Sequence, residues 1–131
     1  MRLGIVIHGH RPDAMAAAHH AVAQLASCGA QVLVEDEVLA AFASGSVTSL
    51  NAPDARADVI LSLGGDGTLH EVVNGLFIQQ EVCPDEVLVA VVAVGTGNDW
   101  VRTFGISNRY QDAVKAISEG YSFLQDVGVV S

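Results

Sequence analysis

The amino-acid sequence predicts a doubly wound α/β domain with a mainly parallel sheet. Short apolar runs of strand length alternate with segments whose apolar residues recur at helical spacing. Strands that alternate with helices in this way form parallel sheets covered on both faces. Two glycine turns, GGDGT at residues 64–68 and GTGND at residues 95–99, each join an apolar run to a helical pattern. Both turns are therefore expected at the carboxyl edge of the sheet, where such folds bind ligands.

Five apolar runs are the predicted strands. The first four lie at residues 3–7, 32–34, 59–63 and 87–94, and we expect them in one sheet. The run SFLQDVGVV, at residues 122–130, is predicted as a last strand. The segment at residues 39–57 has weak periodicity and several turn-forming residues, so it is predicted as a short helical turn followed by a loop.

The predicted helices follow these strands. Pro12 suits the first turn of the first helix, Asp13 complements its positive end, and Gly29 closes it. Residues 68–79 form the helix after the first glycine turn. NDWVRTFG is a short helix after the second turn, and RYQDAVKAISEG is another that Gly120 ends.

Composition and charge narrow the function. The chain has 131 residues, which is the length of a single domain. Its formal net charge is −9, with only six lysines and arginines in total. This acidity argues against a nucleic-acid surface and against an anchor on anionic lipid. The apolar opening is too short for a signal segment, and no run approaches membrane-spanning length. We expect a soluble, cytoplasmic protein.

The two glycine turns have the composition of a phosphate site. Glycine permits positive φ and lets backbone N–H groups approach a phosphate closely, while the helix that follows adds a favourable dipole. Lys115 is the only lysine, so neither turn is a P-loop. A bound polyphosphate would need Mg²⁺, for which Asp66 and Asp99 are suitable oxygen ligands. The alternative is that both acids only cap helices, which two matched turns make less favoured.

The motifs resemble those of a known family. GGDGTLHEVVNGL, followed by GTGNDWVRTFGI and later QDVGVV, is similar to the catalytic domain of the diacylglycerol kinase and sphingosine kinase group, in the superfamily that includes NAD kinase. The resemblance is strongest over residues 58–131. It implies an NAD kinase/diacylglycerol kinase-like fold and an ATP- and Mg²⁺-dependent kinase. The enzyme would transfer the γ-phosphoryl group to the hydroxyl of a diacylglycerol-like lipid at a membrane surface.

The resemblance also implies that residues 1–131 are one half of a kinase. Relatives continue from a strand like DVGVV into a β-rich second domain that helps to hold the acceptor and supplies the general base. This chain alone would then bind nucleotide weakly, phosphorylate little lipid and expose an apolar face that favours homo-oligomers.

Individual residues receive roles from the same resemblance. Asp66 and Asp99 are the expected catalytic residues, and Asp66 and Asp126 the expected carboxylates of the magnesium network. Residues 64–71 would wrap the ATP phosphates and ribose, and the second turn would form the facing wall. The nucleotide contacts are thus Gly64, Gly65, Asp66, Gly67, Thr68, Glu71, Gly95, Thr96, Gly97 and Asn98, with His8 added because its loop leaves the first strand at the same edge.

The first half departs from the lipid kinases. They usually open with Asn-Pro-x-x-Gly after the first strand, whereas this chain has IHGHRPDA. His8, Gly9, His10 or Arg11 could supply the phosphate contact of that loop. The helix and strand that follow look more like NAD kinase, so a kinase acting on a dinucleotide stays open, as does a non-catalytic nucleotide-binding module. Trp100, Arg102 and Arg109 are predicted to have packing or surface-pairing roles.

Overall fold

The chain forms one five-stranded sheet in a computed structural model. The structure describes residues 1–7, 11–95, 97–120 and 122–129. The strands are β1 (Arg2–Ile7), β2 (Gln31–Val34), β3 (Thr48–Ser49), β4 (Val59–Gly64) and β5 (Leu88–Ala93). Their order across the sheet is β3-β2-β1-β4-β5, and every neighbouring pair is parallel. The predicted α/β fold and its four main strands are confirmed.

Helices connect the strands in the order predicted. They are α1 (Pro12–Ser27), α2 (Asp36–Leu39), α3 (Asp66–Ile78), α4 (Asp99–Thr103) and α5 (Tyr110–Glu119), with a short 3-10 turn at Pro84–Glu86. Pro12 occupies the first turn of α1, and Gly120 ends α5 with a φ of 81°. None of the helices in the described ranges has the length and apolar character needed to cross a bilayer.

Two segments differ from the predictions. The loop predicted between residues 39 and 57 contains β3, and the helical turn before it begins earlier, at Asp36. The prediction of a last strand at residues 122–130 was wrong. Residues 122–129 form neither strand nor helix, and Leu124 is fully exposed. An apolar run becomes a strand only when a neighbouring strand satisfies its backbone, and no described strand pairs with this one.

One face of the sheet carries the hydrophobic core. Alternate residues of β1, which are Leu3, Ile5 and Ile7, are buried there, and α5 adds Ala113 and Val114 beside α1. The α1 residues in this core are Ala14, Ala17, Ala18, Ala21, Val22 and Leu25. Four alanines let α1 lie close to the sheet, so this face is well covered.

The other face is covered incompletely by α3. Val6 and Ile60 alternate with the core residues and line an open groove with Val72 and Leu76 of α3. Within α3 only Thr68 and Leu69 are buried, at its first turn. The face against α3 is therefore tightly packed near the carboxyl edge of the sheet and open farther along the helix.

Gly4 in β1 should be intolerant of a side chain. A Cβ there would lie 2.9 Å from Leu50 Cδ1, 3.0 Å from Ile60 Cδ1 and 3.4 Å from Ala57 Cβ. We expect Gly4→Ala to lower the free energy of unfolding by about 1–3 kcal/mol through overpacking. Gly75→Ala is the matched control. A Cβ at Gly75, inside α3, meets nothing within 4 Å, so this variant should raise the free energy of unfolding by about 0.5–1 kcal/mol. Urea unfolding measures both, and equal effects would contradict this packing.

Candidate functional site

The two glycine turns lie side by side at the carboxyl edge of the sheet. The strands that precede them are neighbours, with Gly64 in register with Ala93. The backbone N–H of Val94 donates to the Gly64 carbonyl at 3.1 Å, which extends the pairing to the start of the second turn. The predicted proximity of the two turns is confirmed, because β4 and β5 are neighbours and both turns leave the sheet at the same edge.

The side chain of Asp66 joins the two turns directly. One carboxylate oxygen accepts a hydrogen bond from the backbone N–H of Asp99 at 2.9 Å, and the other accepts from that of Trp100 at 3.1 Å. Asp66 is the first residue of α3, and the two donors are the first residues of α4. A carboxylate of the first turn thus caps the helix of the second, so the helix-capping alternative is part of what Asp66 does.

Positive φ explains the glycines of the second turn only. Gly95 and Gly97 have φ values of 84° and 76°, a region that residues with a side chain rarely adopt. Gly65 in the first turn has a φ of −93°, so the expectation of a left-handed conformation does not hold there. The Asn98 side chain donates from Nδ2 to the Gly95 carbonyl at 3.0 Å and closes the second turn on itself.

Asn98 also presents an unsatisfied acceptor. Its side chain is buried, and its Oδ1 atom has no hydrogen-bond partner in the described ranges of the chain. A buried polar atom without a partner costs about 1–3 kcal/mol. The second turn therefore keeps one acceptor whose hydrogen-bonding capacity is not used within the described residues.

Arg11 brings a positive charge to the second turn. Its guanidinium Nη1 lies 2.9 Å from the position that a Cβ would take at Gly95. It also forms a half-exposed salt bridge to Asp13, with Nη2 and Oδ2 3.0 Å apart. Of the first-loop candidates for a phosphate contact, Arg11 is thus next to the second glycine turn, whereas residues 8–10 lie outside the described ranges.

The remaining carboxylates of the predicted site are exposed. Asp99 pairs with Arg102 at 3.1 Å, and its side chain is 82% exposed. Asp126 is exposed in the segment at residues 122–129. Within the described residues, no three acidic, histidine or cysteine side chains are close enough to hold a metal ion. A metal here would need most of its ligands from water or from a bound substrate.

Glu71 lines a groove between α3 and the sheet, together with an acid that was not among the predicted site residues. Glu71 and Glu35 line a groove of about 400 Å³, whose other walls include Val6, Ile60 and Val72. Burial raises the pKa of Glu35, the charges of Glu37 and Glu71 raise it further, and a hydrogen bond from the Ile7 backbone opposes them. Glu35 directly follows β2, so its position after a parallel strand was the signal that could have identified it.

The raised pKa of Glu35 predicts a pH-dependent effect on stability. Because folding disfavours the ionised carboxylate, Glu35 lowers stability above its folded pKa and has no such cost below its ordinary pKa. We expect Glu35→Gln to have a higher melting temperature than the parent protein at neutral pH and the same melting temperature at about pH 4. Glu119→Gln, at an exposed position of α5, is the control. A Glu35→Gln advantage that grows as the pH falls would contradict this assignment.

The other predicted contacts are explained by their surroundings. The Trp100 ring packs against Phe104 with centroids 4.7 Å apart, and Phe104 stacks on Phe123 at 5.4 Å. Arg109 approaches Asp112 at 3.9 Å. The packing role of Trp100 and the surface pairing of Arg102 and Arg109 fit this geometry. His8 and Thr96, both predicted nucleotide contacts, lie outside the described residues.

The chain is similar in sequence to known proteins. A family model described as the diacylglycerol kinase catalytic domain matches residues 9–130. Diacylglycerol kinases of Staphylococcus aureus strains JH9 and Newman are 41% identical over 71 residues. That match covers 54% of this chain and 21% of each relative. The chain therefore matches about a fifth of the length of these relatives.

A solved structure supports the fold. Yeast NADH kinase in complex with NADH aligns with a TM-score of 0.50 and 18% sequence identity. The alignment covers 88% of this chain and 38% of that one. At this identity the likeness concerns the fold alone, which is the α/β fold that the sequence predicted.

Proposed function

Because this chain belongs to the diacylglycerol kinase catalytic domain family, we propose that it is the ATP-binding part of a lipid kinase that phosphorylates a diacylglycerol-like hydroxyl. One observation carries the proposal. The Asp66 carboxylate bonds to the Asp99 and Trp100 amides and so joins the two glycine turns, which lie side by side at one edge of the sheet. A single nucleotide can then contact both turns.

The phosphates of ATP would lie between the turns. The first N–H groups of α3 have no acceptor within the helix, and this 13-residue helix points its positive end at the same edge. In this proposal Gly64, Gly65, Gly67 and Thr68 supply close backbone contacts from one side. Gly95, Gly97 and Asn98 supply the facing wall. Backbone donors suit this chain because Lys115 lies on α5 and not in either turn.

Among the described residues, Arg11 is the side-chain cation that lies beside the second turn and could meet a phosphate there. We expect Arg11→Ala to weaken ATP binding about tenfold, since a hydrogen bond between charged partners contributes about 1.5–3 kcal/mol. Adenosine binding should be unchanged, and the loss should shrink as salt is added because Arg11 is half-exposed. Arg56→Ala, in the exposed loop before β4, is the matched control. Titration calorimetry measures the affinity of the parent protein and of both variants for ATP and for adenosine. An equal loss of ATP and adenosine affinity in Arg11→Ala would exclude the phosphate contact.

The nucleoside would occupy the groove lined by Glu35 and Glu71. Ribose hydroxyls donate hydrogen bonds, which carboxylates accept, and apolar walls such as Val6 and Val72 suit the flat face of a base. Glu71 was predicted as a nucleotide contact. Its place on α3 within this groove supports that role, and Glu35 adds a second acceptor.

The carboxylates fit a magnesium ion that arrives with the nucleotide. Mg²⁺ commonly keeps several waters and takes one or two carboxylates plus substrate phosphates. The Asp66 oxygens each retain a lone pair beyond their amide bonds, and Asp99 and Asp126 are exposed. Bound Mg²⁺ would offset the charge that develops on the transferred phosphoryl group. We propose Asp66 and Asp126 for this network, with Asp99 near the reacting groups.

Product analysis with ATP, NAD and a short-chain diacylglycerol tests the proposal. A lipid kinase yields phosphorylated lipid from ATP when the complete kinase is assayed. Formation of a phosphorylated dinucleotide would favour the second candidate, a small-molecule kinase, which the NAD kinase-like helix and strand after the first loop suggest. Nucleotide binding without any product would identify a non-catalytic module. No binding of ATP to either turn would contradict the proposal itself.

A further inference from the structure

We propose that Asp66 is the positioning residue of the second glycine turn, acting as a clamp through the Asp99 and Trp100 amides. Each carboxylate oxygen is used by one of two consecutive N–H groups, at 2.9 and 3.1 Å. Such a bidentate arrangement fixes direction as well as distance. The role assigned to Asp66 is thus to hold part of the protein in place, in addition to any contact with the nucleotide or its metal.

Helix α4 depends on this clamp because it has no cap of its own. Its N-cap residue is Asn98, whose side chain makes no capping bond and donates instead to Gly95. The first N–H groups of a helix lack intrahelical acceptors, and a helix of five residues is too short to be stable alone. The acceptor for α4 comes from a residue 33 positions earlier in the chain.

The clamp also determines where the second turn lies. Gly95 and Gly97 give that turn more backbone freedom than other residues would. On the strand side it is held by the bond from Val94 to Gly64, and on the helix side by Asp66. Release of the helix side would let Gly97 and Asn98 move relative to α3. In the proposed function, on which this step rests, only the first of the two glycine turns would then be ordered where the nucleotide binds.

Amide hydrogen exchange tests the clamp without any ligand. In the 131-residue chain we expect the Asp99 and Trp100 amides to exchange at least about tenfold faster in Asp66→Asn, because a clamp bond of about 1.4 kcal/mol gives that factor. Asp112→Asn is the control, since it removes an exposed carboxylate from the first turn of α5 and leaves Asp66 and both reporter residues unchanged. Leu61 and Leu63 in β4 report whether the whole fold stays protected. Unchanged exchange at Asp99 and Trp100 in Asp66→Asn would overturn the clamp.

A double-mutant cycle tests whether the clamp acts on nucleotide binding. Trp100→Ala keeps the backbone N–H, whereas Trp100→Pro removes it in the first turn of α4, where no intrahelical bond is lost. We expect Asp66→Asn to weaken Mg·ATP binding about tenfold in the alanine background and about threefold or less in the proline background. Excess Mg²⁺ should not restore the Mg·ATP affinity that Asp66→Asn loses. It would restore that affinity if Asp66 acted only as a metal ligand.

The outcomes separate this inference from the proposed function. An equal loss in both Trp100 backgrounds would overturn the positioning role and leave Asp66 as a direct ligand of nucleotide or metal. If the parent chain binds no nucleotide at all, the proposed function fails. Faster exchange at the Asp99 and Trp100 amides in Asp66→Asn would still establish the clamp in that case.

Discussion

Gly95→Ala is expected to lower the affinity for Mg·ATP by about tenfold or more. Its φ of 84° costs a residue with a side chain roughly 1–2 kcal/mol, and the new Cβ would displace the Arg11 guanidinium from the turn. Both effects act at the proposed phosphate site. The strain disturbs the backbone of the second turn, and the displacement removes the nearby cation.

Gly45→Ala is the matched control for Gly95→Ala. Gly45 has the same φ of 84°, and a Cβ there meets nothing within 4 Å. We expect both variants to lose similar stability in urea unfolding, with only Gly95→Ala losing nucleotide affinity in calorimetry. If Gly45→Ala weakened binding equally, the effect would come from stability and not from the site.

Asp66→Asn should weaken Mg·ATP binding about ten- to a hundredfold. Asparagine keeps one acceptor oxygen and places an NH₂ group against a backbone N–H, so at least one charge-assisted bond of about 1.5–3 kcal/mol is lost. Lys115→Ala, which removes the only lysine, should change the affinity by less than about twofold because the proposed site meets phosphate with backbone amides and Arg11. A larger effect of Lys115→Ala would show that the phosphate site does use the lysine.

Most of the fold could be predicted from patterns that repeat along the chain. Buried parallel strands read as continuous apolar runs, and glycine turns end two of them, so four strands and the carboxyl edge were predicted. β3 was missed because Thr48 and Ser49 carry no apolar pattern, and the strand exists only through pairing with β2. The apolar segment at residues 122–129 failed as a strand for the opposite reason, since pattern alone does not supply a partner.

The candidate site was predicted in part. The meeting of the turns followed from topology, because parallel strands end at one edge of the sheet. The clamp could not be predicted, since Asp66 bonds to backbone N–H groups that leave no trace in residue identity. Glu35 was missed although it follows β2 at the same edge, because no glycine turn marks its loop. Side-chain identity thus predicted where the two glycine turns lie, and backbone geometry shows how they are held together.

The most direct test of the central claim, that the two glycine turns form one nucleotide site, is an NMR titration of the chain with Mg·ATP. We expect the amides of Gly65, Gly67 and Thr68 to shift together with those of Gly97 and Asn98, with one common dissociation constant. The shifts should weaken when Mg²⁺ is removed. Shifts confined to one turn, or two unrelated dissociation constants, would contradict a shared site.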